Sequence, residues 1–278
     1  MENFIREQEV EILISTMDRD SLDFLVPMFP FSIFSDFSIL IVNQTQKGKF
    51  LNSDHSNVRV INSLERGLSR SRNLAIENAV GRILLIADDD VVYEEGFIAK
   101  IIKAHNEFKN AAVINFSILK TRGELMKKYP LVSKENLSSF DILNASSIEI
   151  TLKREVLDKI NIRFDESFGL GAIFEIGEEA VFLFDLKNRK QQLVFVPQII
   201  AKHEKLTSSE KQNRIEKYHL QGALFTRIFA RKYFLWLMIK LFFDLKQNRL
   251  SFRDIRTVLK SAKEGSKKIR IIQNGNKQ

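Results

Sequence analysis

Three consecutive carboxylates, Asp88, Asp89 and Asp90, directly follow an apolar run at residues 83–87. Like charges a few ångströms apart repel and raise one another's pKa, so such a cluster is costly unless a cation neutralises it. Carboxylate oxygens are hard ligands that suit Mg²⁺ or Mn²⁺, which also bind phosphate oxygens. Because side chains alternate in an extended segment, Asp88 and Asp90 should share a face and Asp89 should point away. The pattern predicts a divalent-metal site, with a solvated acidic turn as the alternative.

The elements that would position these carboxylates are apolar strands alternating with helices. The pattern predicts strands at residues 10–14, 39–42, 58–61, 83–86 and 112–114, and helices from Ser69 and over residues 94–108. Such alternation predicts an α/β fold with a mainly parallel, doubly wound sheet. Ligands of these sheets bind beyond the carboxyl ends of the strands. The polar strand ends at residues 15–18, 43–44 and 88–90 should therefore lie at one edge.

The second half of the chain is less regular. We expect a strand near residues 145–152, a glycine-rich turn at 168–171, a helix opening at Glu178, and a strand at 193–196 that Pro197 ends. The predicted organisation is a catalytic domain over residues 1–210 and a helical, basic extension over 211–278. The catalytic domain divides into halves at about residues 1–115 and 116–210.

Two segments together carry a family resemblance. The sequence GLSRSRNLA at residues 67–75, followed by GRILLIADDD at 81–90, resembles the signature region of family-2 glycosyltransferases, which have the GT-A fold. The resemblance extends over most of residues 10–205. It implies a nucleotide-sugar donor whose diphosphate binds a Mn²⁺ or Mg²⁺ ion held by Asp88 and Asp90. It also implies that Arg72 contacts the nucleotide and that His203, after the strand around Pro197, faces the metal or diphosphate.

The resemblance also implies which strand ends bind the donor. Thr16 and Asp18 loosely match the family position that lies close to the nucleotide. Asp89, the middle residue of the Asp88-Asp89-Asp90 motif, is also expected to bind the donor. Asn43 stands where the family usually has the aspartate that reads the base. An amide both donates and accepts hydrogen bonds to a pyrimidine edge, so a UDP-sugar is the expected donor.

The acceptor side rests on a second match. FDESFGLG at residues 164–171 and GEEAVFL at 177–183 resemble the family's acceptor segment, which commonly ends in a Glu-Asp pair. Here the pair is Glu178-Glu179, and one of the two is expected to be the general base, with Glu179 at the usual aspartate position. The resemblance implies direct displacement with inversion onto a hydroxyl of a glycan or lipid-linked acceptor. Both glutamates could instead only cap a helix.

The composition indicates where the protein is located in the cell and which partners it can bind. There are no cysteines, which excludes a disulfide scaffold and fits a cytoplasmic protein. Residues 245–278 hold ten basic and two acidic residues, which accounts for the whole net charge of +8. The balanced remainder argues against a nucleic-acid groove. The apolar segment at 233–243 with this basic region predicts association with an anionic surface at the inner face of the membrane, and a closing helix with a solvated tail is the alternative.

Two other functions compete with this hypothesis. A sugar-phosphate nucleotidyltransferase can also place aspartates after a buried strand, but its glycine-rich phosphate loop is missing after the first strand, at residues 15–19. The other alternative is a non-catalytic carbohydrate-binding or membrane-scaffolding protein on the same fold. Metal-dependent hydrolysis of UDP-sugars would distinguish an enzyme from such a scaffold. The family resemblance favours synthesis of a bacterial surface polysaccharide or glycolipid.

Overall fold

A computed structural model of the chain describes residues 5–203 and 213–275. Its strands are β1 Val10–Met17, β2 Ser38–Gln44, β3 Val58–Ser63, β4 Ile83–Asp88, β5 Val92–Tyr93, β6 Ala111–Leu119, β7 Ile150–Lys153 and β8 Gln192–Lys202. Its helices are α1 Leu68–Asn78, α2 Phe97–Glu107, α3 Ser139–Leu143, α4 Arg154–Ile160, α5 Glu178–Asn188, α6 Arg214–Phe229, α7 Tyr233–Lys246 and α8 Ile255–Gly275. The predicted boundary at residue 210 lies outside the described residues.

The strands form one sheet in the order β3-β2-β1-β4-β7-β6-β8-β5. The neighbours β3, β2, β1 and β4 are parallel, as are β6 and β8. The exceptions are β7, antiparallel to both β4 and β6, and β5, antiparallel to β8. The predicted α/β fold with a mostly parallel sheet and a helical C-terminal region is therefore confirmed.

The two faces of the sheet are covered by different helices. Ile12, Ile14 and Ala87 share a core cluster with Phe97 and Ile101 of α2. Because strand side chains alternate, Ser15 and Asp88 belong to the opposite face. Helix α1 packs there, and its Ser71 hydroxyl donates to the Ser15 hydroxyl at 2.9 Å. Burial on both faces explains why these strands are continuously apolar rather than alternating.

Two strand predictions were wrong in detail. Pro197 does not end its strand, because β8 continues to Lys202. A proline cannot donate to the ladder, and the pairing of β6 with β8 is irregular between Asn115 and Ser117, which leaves Pro197 out of the register. The strand expected at residues 145–152 is shorter than predicted: β7 begins only at Ile150, and the 3-10 turn Ser147–Glu149 precedes it.

The described chain divides into two compact units. Among the described residues, the first contains 5–166 and 178–203, and the second contains 167–177 and 213–275. In the second unit α6 packs closely on α8, so that a side chain added at Gly222 would overlap the Ala262 carbonyl oxygen. Residues 255–275, expected as a basic tail, form this helix. No helix among the described residues is long and apolar enough to cross a membrane.

Candidate functional site

The predicted polar edge exists. In the sheet register Ser15 lies opposite Asp88, and Thr16 lies opposite Asn43. The carboxyl ends of β1, β2 and β4 therefore meet at one edge, as the parallel order requires.

A buried arginine joins the strand-end acid to the acceptor-side acids. Arg72 of α1 is 2% exposed, and its Nη2 lies 3.2 Å from Asp88 Oδ1. Its Nη1 lies 3.0 Å from Glu178 Oε1 and 3.6 Å from Glu179 Oε1. Arg72 lies on α1, which packs on the same face of the sheet as Asp88. Helix α5 begins at Glu178, so both glutamates lie in its first turn. Residues more than 100 positions apart in sequence thus form one charged cluster.

The charges in this cluster shift one another's protonation. Burial lowers the pKa of Arg72, but attraction to Asp88, Glu178 and Glu179 outweighs it, so the net shift is upward. Burial and repulsion from Glu178 raise the pKa of Glu179 to about 8, against the attraction of Arg72. Glu179 is thus far more basic than an ordinary glutamate, whose pKa is about 4.3.

Asp89 points to a different partner from Asp88. Strand β4 ends at Asp88, and residues 89–90 form a turn, so strand alternation no longer directs their side chains. Asp89 Oδ2 accepts hydrogen bonds from the Thr16 hydroxyl and from Arg19, whose Nη2 lies at 2.7 Å. The Arg19 side chain is 41% exposed, so solvent reaches this pair.

Asp90 faces His203. Its Oδ1 lies 3.0 Å from His203 Nε2, and the hydrogen bond with His203 lowers the pKa of Asp90. The short strand β5 produces this approach, since Val92 pairs with Lys202 at the end of β8. The Asp90 side chain is 64% exposed and that of His203 is 17% exposed.

The two remaining candidates differ in access. Asn43 is fully buried; its amide bonds the backbone N–H and C=O of Arg19 at 3.1 and 3.0 Å and donates to Asn62. A base contact by Asn43 would require this arrangement to open. Asp18, with a φ of 53°, pairs with Arg66 at 3.0 Å at the exposed rim. The contacts of both residues with a nucleotide stay predictions.

The donor set fits a divalent cation bound together with phosphate. Within the described ranges no three carboxylate or imidazole side chains converge as a complete metal site. Mg²⁺ commonly binds one or two carboxylates plus substrate phosphates rather than an all-protein cage, and adjacent ligands at about 2.1 Å lie about 3 Å apart. Asp90 and His203, 3.0 Å apart, match that spacing. Asp88 is the other carboxylate of the motif that could bind the cation, and its Oδ2 accepts a hydrogen bond from Ser147 Oγ at 3.3 Å.

Three site residues were missed by sequence reasoning. Arg19 and Arg66 bind the acidic side chains of the edge, and Ser147 donates to Asp88. The position of Arg19 just after β1 was a usable signal. Arg66 lies in a loop and Ser147 in a 3-10 turn, and the sequence does not specify the course of either segment.

Comparison with known proteins gives three results. The family model for glycosyl transferase family 2 matches residues 33–161. No curated protein sequence matches the chain. Among solved structures, S. aureus TarS 1-349 is similar at 13% identity and a TM-score of 0.55, over 80% of this chain and 65% of that chain.

Two related TarS structures carry ligands. The TarS 1-349 complexes with UDP and with UDP-GlcNAc match at 12% and 13% identity and TM-scores of 0.53 and 0.56, over 80% of this chain and 65% and 66% of theirs. At this identity the likeness establishes the fold alone, and the chain spans less than two thirds of the TarS 1-349 structures. The fold likeness agrees with the matched segment, which includes α1, β4 and the three aspartates. Residues 33–161 of this chain are therefore similar to glycosyl transferase family 2.

Proposed function

We propose that the chain transfers a sugar from a nucleoside-diphosphate sugar, with UDP as the nucleotide, to a hydroxyl acceptor with inversion. The observation that carries this proposal is the Arg72 cluster, which holds Asp88 of the donor edge and Glu178-Glu179 of the acceptor segment in one place. A transferase needs its leaving-group site and its base within reach of one anomeric carbon. A non-catalytic scaffold gives no reason to bury such a cluster.

Glu179 is the general base of the proposal. Glu178 lies closer to Arg72, at 3.0 Å against 3.6 Å, and is more buried, with 8% of its side chain exposed against 17%. Glu178 therefore acts as the counter-ion of Arg72, which leaves Glu179 to accept the proton of the acceptor hydroxyl. A pKa near 8 gives Glu179 the basicity that this step uses. A single displacement inverts the anomeric centre and needs no enzyme nucleophile.

The donor side consists of the other predicted residues. Asp90, His203 and Asp88 would hold Mn²⁺ or Mg²⁺, which supplies charge stabilisation for the departing diphosphate. Thr16, Asp18, Asn43 and Asp89, at or just beyond the carboxyl ends of their strands, would contact the nucleotide. Arg72, being buried, acts by orienting Asp88, while the exposed guanidinium groups of Arg19 and Arg66 can reach a diphosphate.

A donor panel tests the proposal. We expect UDP-sugars with Mn²⁺, the donor class bound in the TarS complex with UDP-GlcNAc, to raise the melting temperature, and one donor to be slowly hydrolysed. Asp90→Ala should remove the metal-dependent part of the shift while the protein stays folded. Asp54→Ala, at an exposed position, is the matched control. Equal shifts in both variants would exclude Asp90 from the metal site.

The second unit supports a membrane-surface location on the cytoplasmic side. At about 100° per residue, Leu235 and Phe242 of α7 lie opposite its buried Leu237 and Leu241, and the exposed Phe234 flanks the buried side. The face of α8 opposite its buried residues carries five exposed basic residues at helical spacing, which are Arg256, Lys260, Lys263, Lys267 and Arg270. An exposed apolar face together with a basic stripe fits an anionic lipid surface and a lipid-linked acceptor.

Vesicle binding tests this location. We expect sedimentation with vesicles containing phosphatidylglycerol but not with phosphatidylcholine alone, and release by salt. Lys260→Glu with Lys263→Glu should abolish binding, whereas Lys47→Glu with Lys49→Glu, in an exposed loop of the first unit, should leave it intact. Equal binding by both double variants would refute the assignment to α8.

A further inference from the structure

A cavity of about 280 Å³ lies beside the Arg72 cluster but contains none of its residues. Its walls come from β6, from the segment at residues 127–130, from α3 and from β8. This volume is just below the roughly 300–1,000 Å³ of ordinary ligand pockets, so it suits a small group about the size of one sugar ring.

The apolar wall of the cavity is rigidly held. The Tyr129 ring stacks on Phe195 with centroids 5.7 Å apart and planes at 5°. The Tyr129 hydroxyl donates to Glu149 Oε1 at 2.8 Å, and Lys127 Nζ lies 2.7 Å from the same oxygen. Phe140, 51% exposed, stands at the rim. Aromatic rings beside polar groups suit a sugar, which presents both C–H surfaces and hydroxyls.

One polar atom in the wall is unsatisfied. Asn115 is 4% exposed, and its Oδ1 is buried without a hydrogen-bond partner among the described residues. A buried carbonyl oxygen without a donor is costly, so a rotation of the Asn115 side chain that lets a ligand hydroxyl donate to Oδ1 is favoured. The carboxylates of the wall are already compensated, Glu149 by Lys127 and Asp141 by Lys134. Lys128, the remaining charged residue of the lining, is exposed to solvent, so the interior itself favours a neutral, hydroxyl-bearing ligand over a strongly charged one.

The cavity opens on the face of the sheet that carries the proposed active site. Ile114 and Val194 belong to the core cluster on the α2 face, so Asn115 and Phe195 lie on the opposite face, as Asp88 does. The turn Ser147–Glu149 connects the two places: Ser147 Oγ donates to Asp88, and Glu149 lines the cavity.

We propose that this cavity binds one neutral pyranose ring of a carbohydrate acceptor, with Asn115 Oδ1 accepting a hydroxyl hydrogen bond and the Tyr129–Phe195 and Phe140 rings packing against the sugar. The proposal rests on the proposed glycosyltransferase function and adds a substrate class and residues on the acceptor side. Asn115 and Phe140 would then determine acceptor specificity without touching the donor.

Saturation-transfer NMR on the full chain tests this assignment. The probes are the methyl pyranosides of glucose, galactose, mannose and N-acetylglucosamine at millimolar concentration, each with and without UDP and Mn²⁺. We expect at least one glycoside to bind in the presence of saturating UDP. Asn115→Leu and Phe140→Ala should each weaken that binding about tenfold, which corresponds to about 1.4 kcal/mol. Leu131→Ala, 92% exposed in the same loop region and outside the cavity lining, is the control.

The outcomes separate the cavity from the proposed function. If UDP binds and no glycoside does, the cavity assignment fails and the donor site stands. Displacement of the glycoside by UDP would place the sugar in the donor site and also overturn the assignment. Unchanged glycoside binding in Phe140→Ala, whose exposed ring is not needed for folding, refutes the cavity even if Asn115→Leu unfolds. If UDP fails to bind, the proposed function and the acceptor role both fail, whatever the glycosides do.

Discussion

Replacing Arg72 by methionine removes the one cation that lies among three carboxylates while keeping most of the side-chain volume. The guanidinium nitrogens lie 3.0 Å from Glu178, 3.2 Å from Asp88 and 3.6 Å from Glu179, and Arg72 is 2% exposed. Removing one partner of a buried ion pair costs about 3–5 kcal/mol, because the remaining charge stays buried and uncompensated. We expect that loss in the free energy of unfolding at pH 7.5. In a protein of this size it corresponds to a fall of about 10 °C in Tm.

The pH dependence of this loss identifies its cause. Without Arg72, the carboxylates have raised pKa values in the folded state, above about 4 in the unfolded chain. The folded variant then binds more protons than the unfolded chain, so its stability falls as pH rises through this window. The deficit relative to wild type should accordingly be smaller at pH 5.5 than at pH 7.5.

Urea unfolding at both pH values measures these quantities. The control is Arg19→Met, which removes a guanidinium from Asp89 at a position that is 41% exposed. A solvent-exposed pair contributes about 1 kcal/mol or less, so this variant should stay close to wild type. A deficit below about 1 kcal/mol for Arg72→Met at pH 7.5, or an equal deficit at both pH values, would refute the electrostatic account of the cluster.

Three further predictions concern other positions. In a pH-rate profile, wild-type kcat/KM should rise with pH around a pKa near 8, as Glu179 loses its proton. Glu179→Gln should lower the rate about 10²–10⁴-fold and should lose this pH dependence. Burial lowers the pKa of His105 to about 3, so below pH 6.5 only the unfolded chain takes up a proton at this residue. The free energy of unfolding should therefore fall by up to about 1.4 kcal/mol per pH unit as the pH is lowered. His105→Gln should lack that slope in urea titrations from pH 6.5 to 4. Gly222→Ala should destabilise by about 3 kcal/mol in thermal unfolding, because the new Cβ meets Ala262, whereas Gly275→Ala, with open space, should not; equal effects would disprove the close α6–α8 contact.

The parallel core of the sheet could be predicted because its pattern is local. Strands β1, β2 and β4 are buried at nearly every position, and their continuous apolar runs at residues 12–14, 39–42 and 83–87 reflect burial on both faces. The polar edge then followed from a general rule about parallel strands, and the register of Thr16 opposite Asn43 confirms it. These conclusions needed only the order of strands and helices.

The rest of the site depends on pairings that the sequence does not display. Strand β5 has only two residues, yet its antiparallel pairing with β8 is what places Asp90 beside His203. Helical periodicity marks Arg72 as part of a helix but does not say that its charge is buried. Only the packing of α1 and α5 on the same face decides that Arg72 contacts glutamates rather than water. Long-range pairs of this kind are set by tertiary packing.

The three consecutive aspartates relieve their mutual repulsion by diverging to separate partners. Asp88 contacts Arg72, Asp89 contacts Arg19, and Asp90 contacts His203. A guanidinium keeps its charge at any accessible pH, so Asp88 and Asp89 each already contact a permanent positive charge. An imidazole can instead be neutral and offer a nitrogen lone pair to a metal. In the proposed metal site the cation would therefore bind at the third residue, between Asp90 and His203, because no permanent positive charge has to be displaced there.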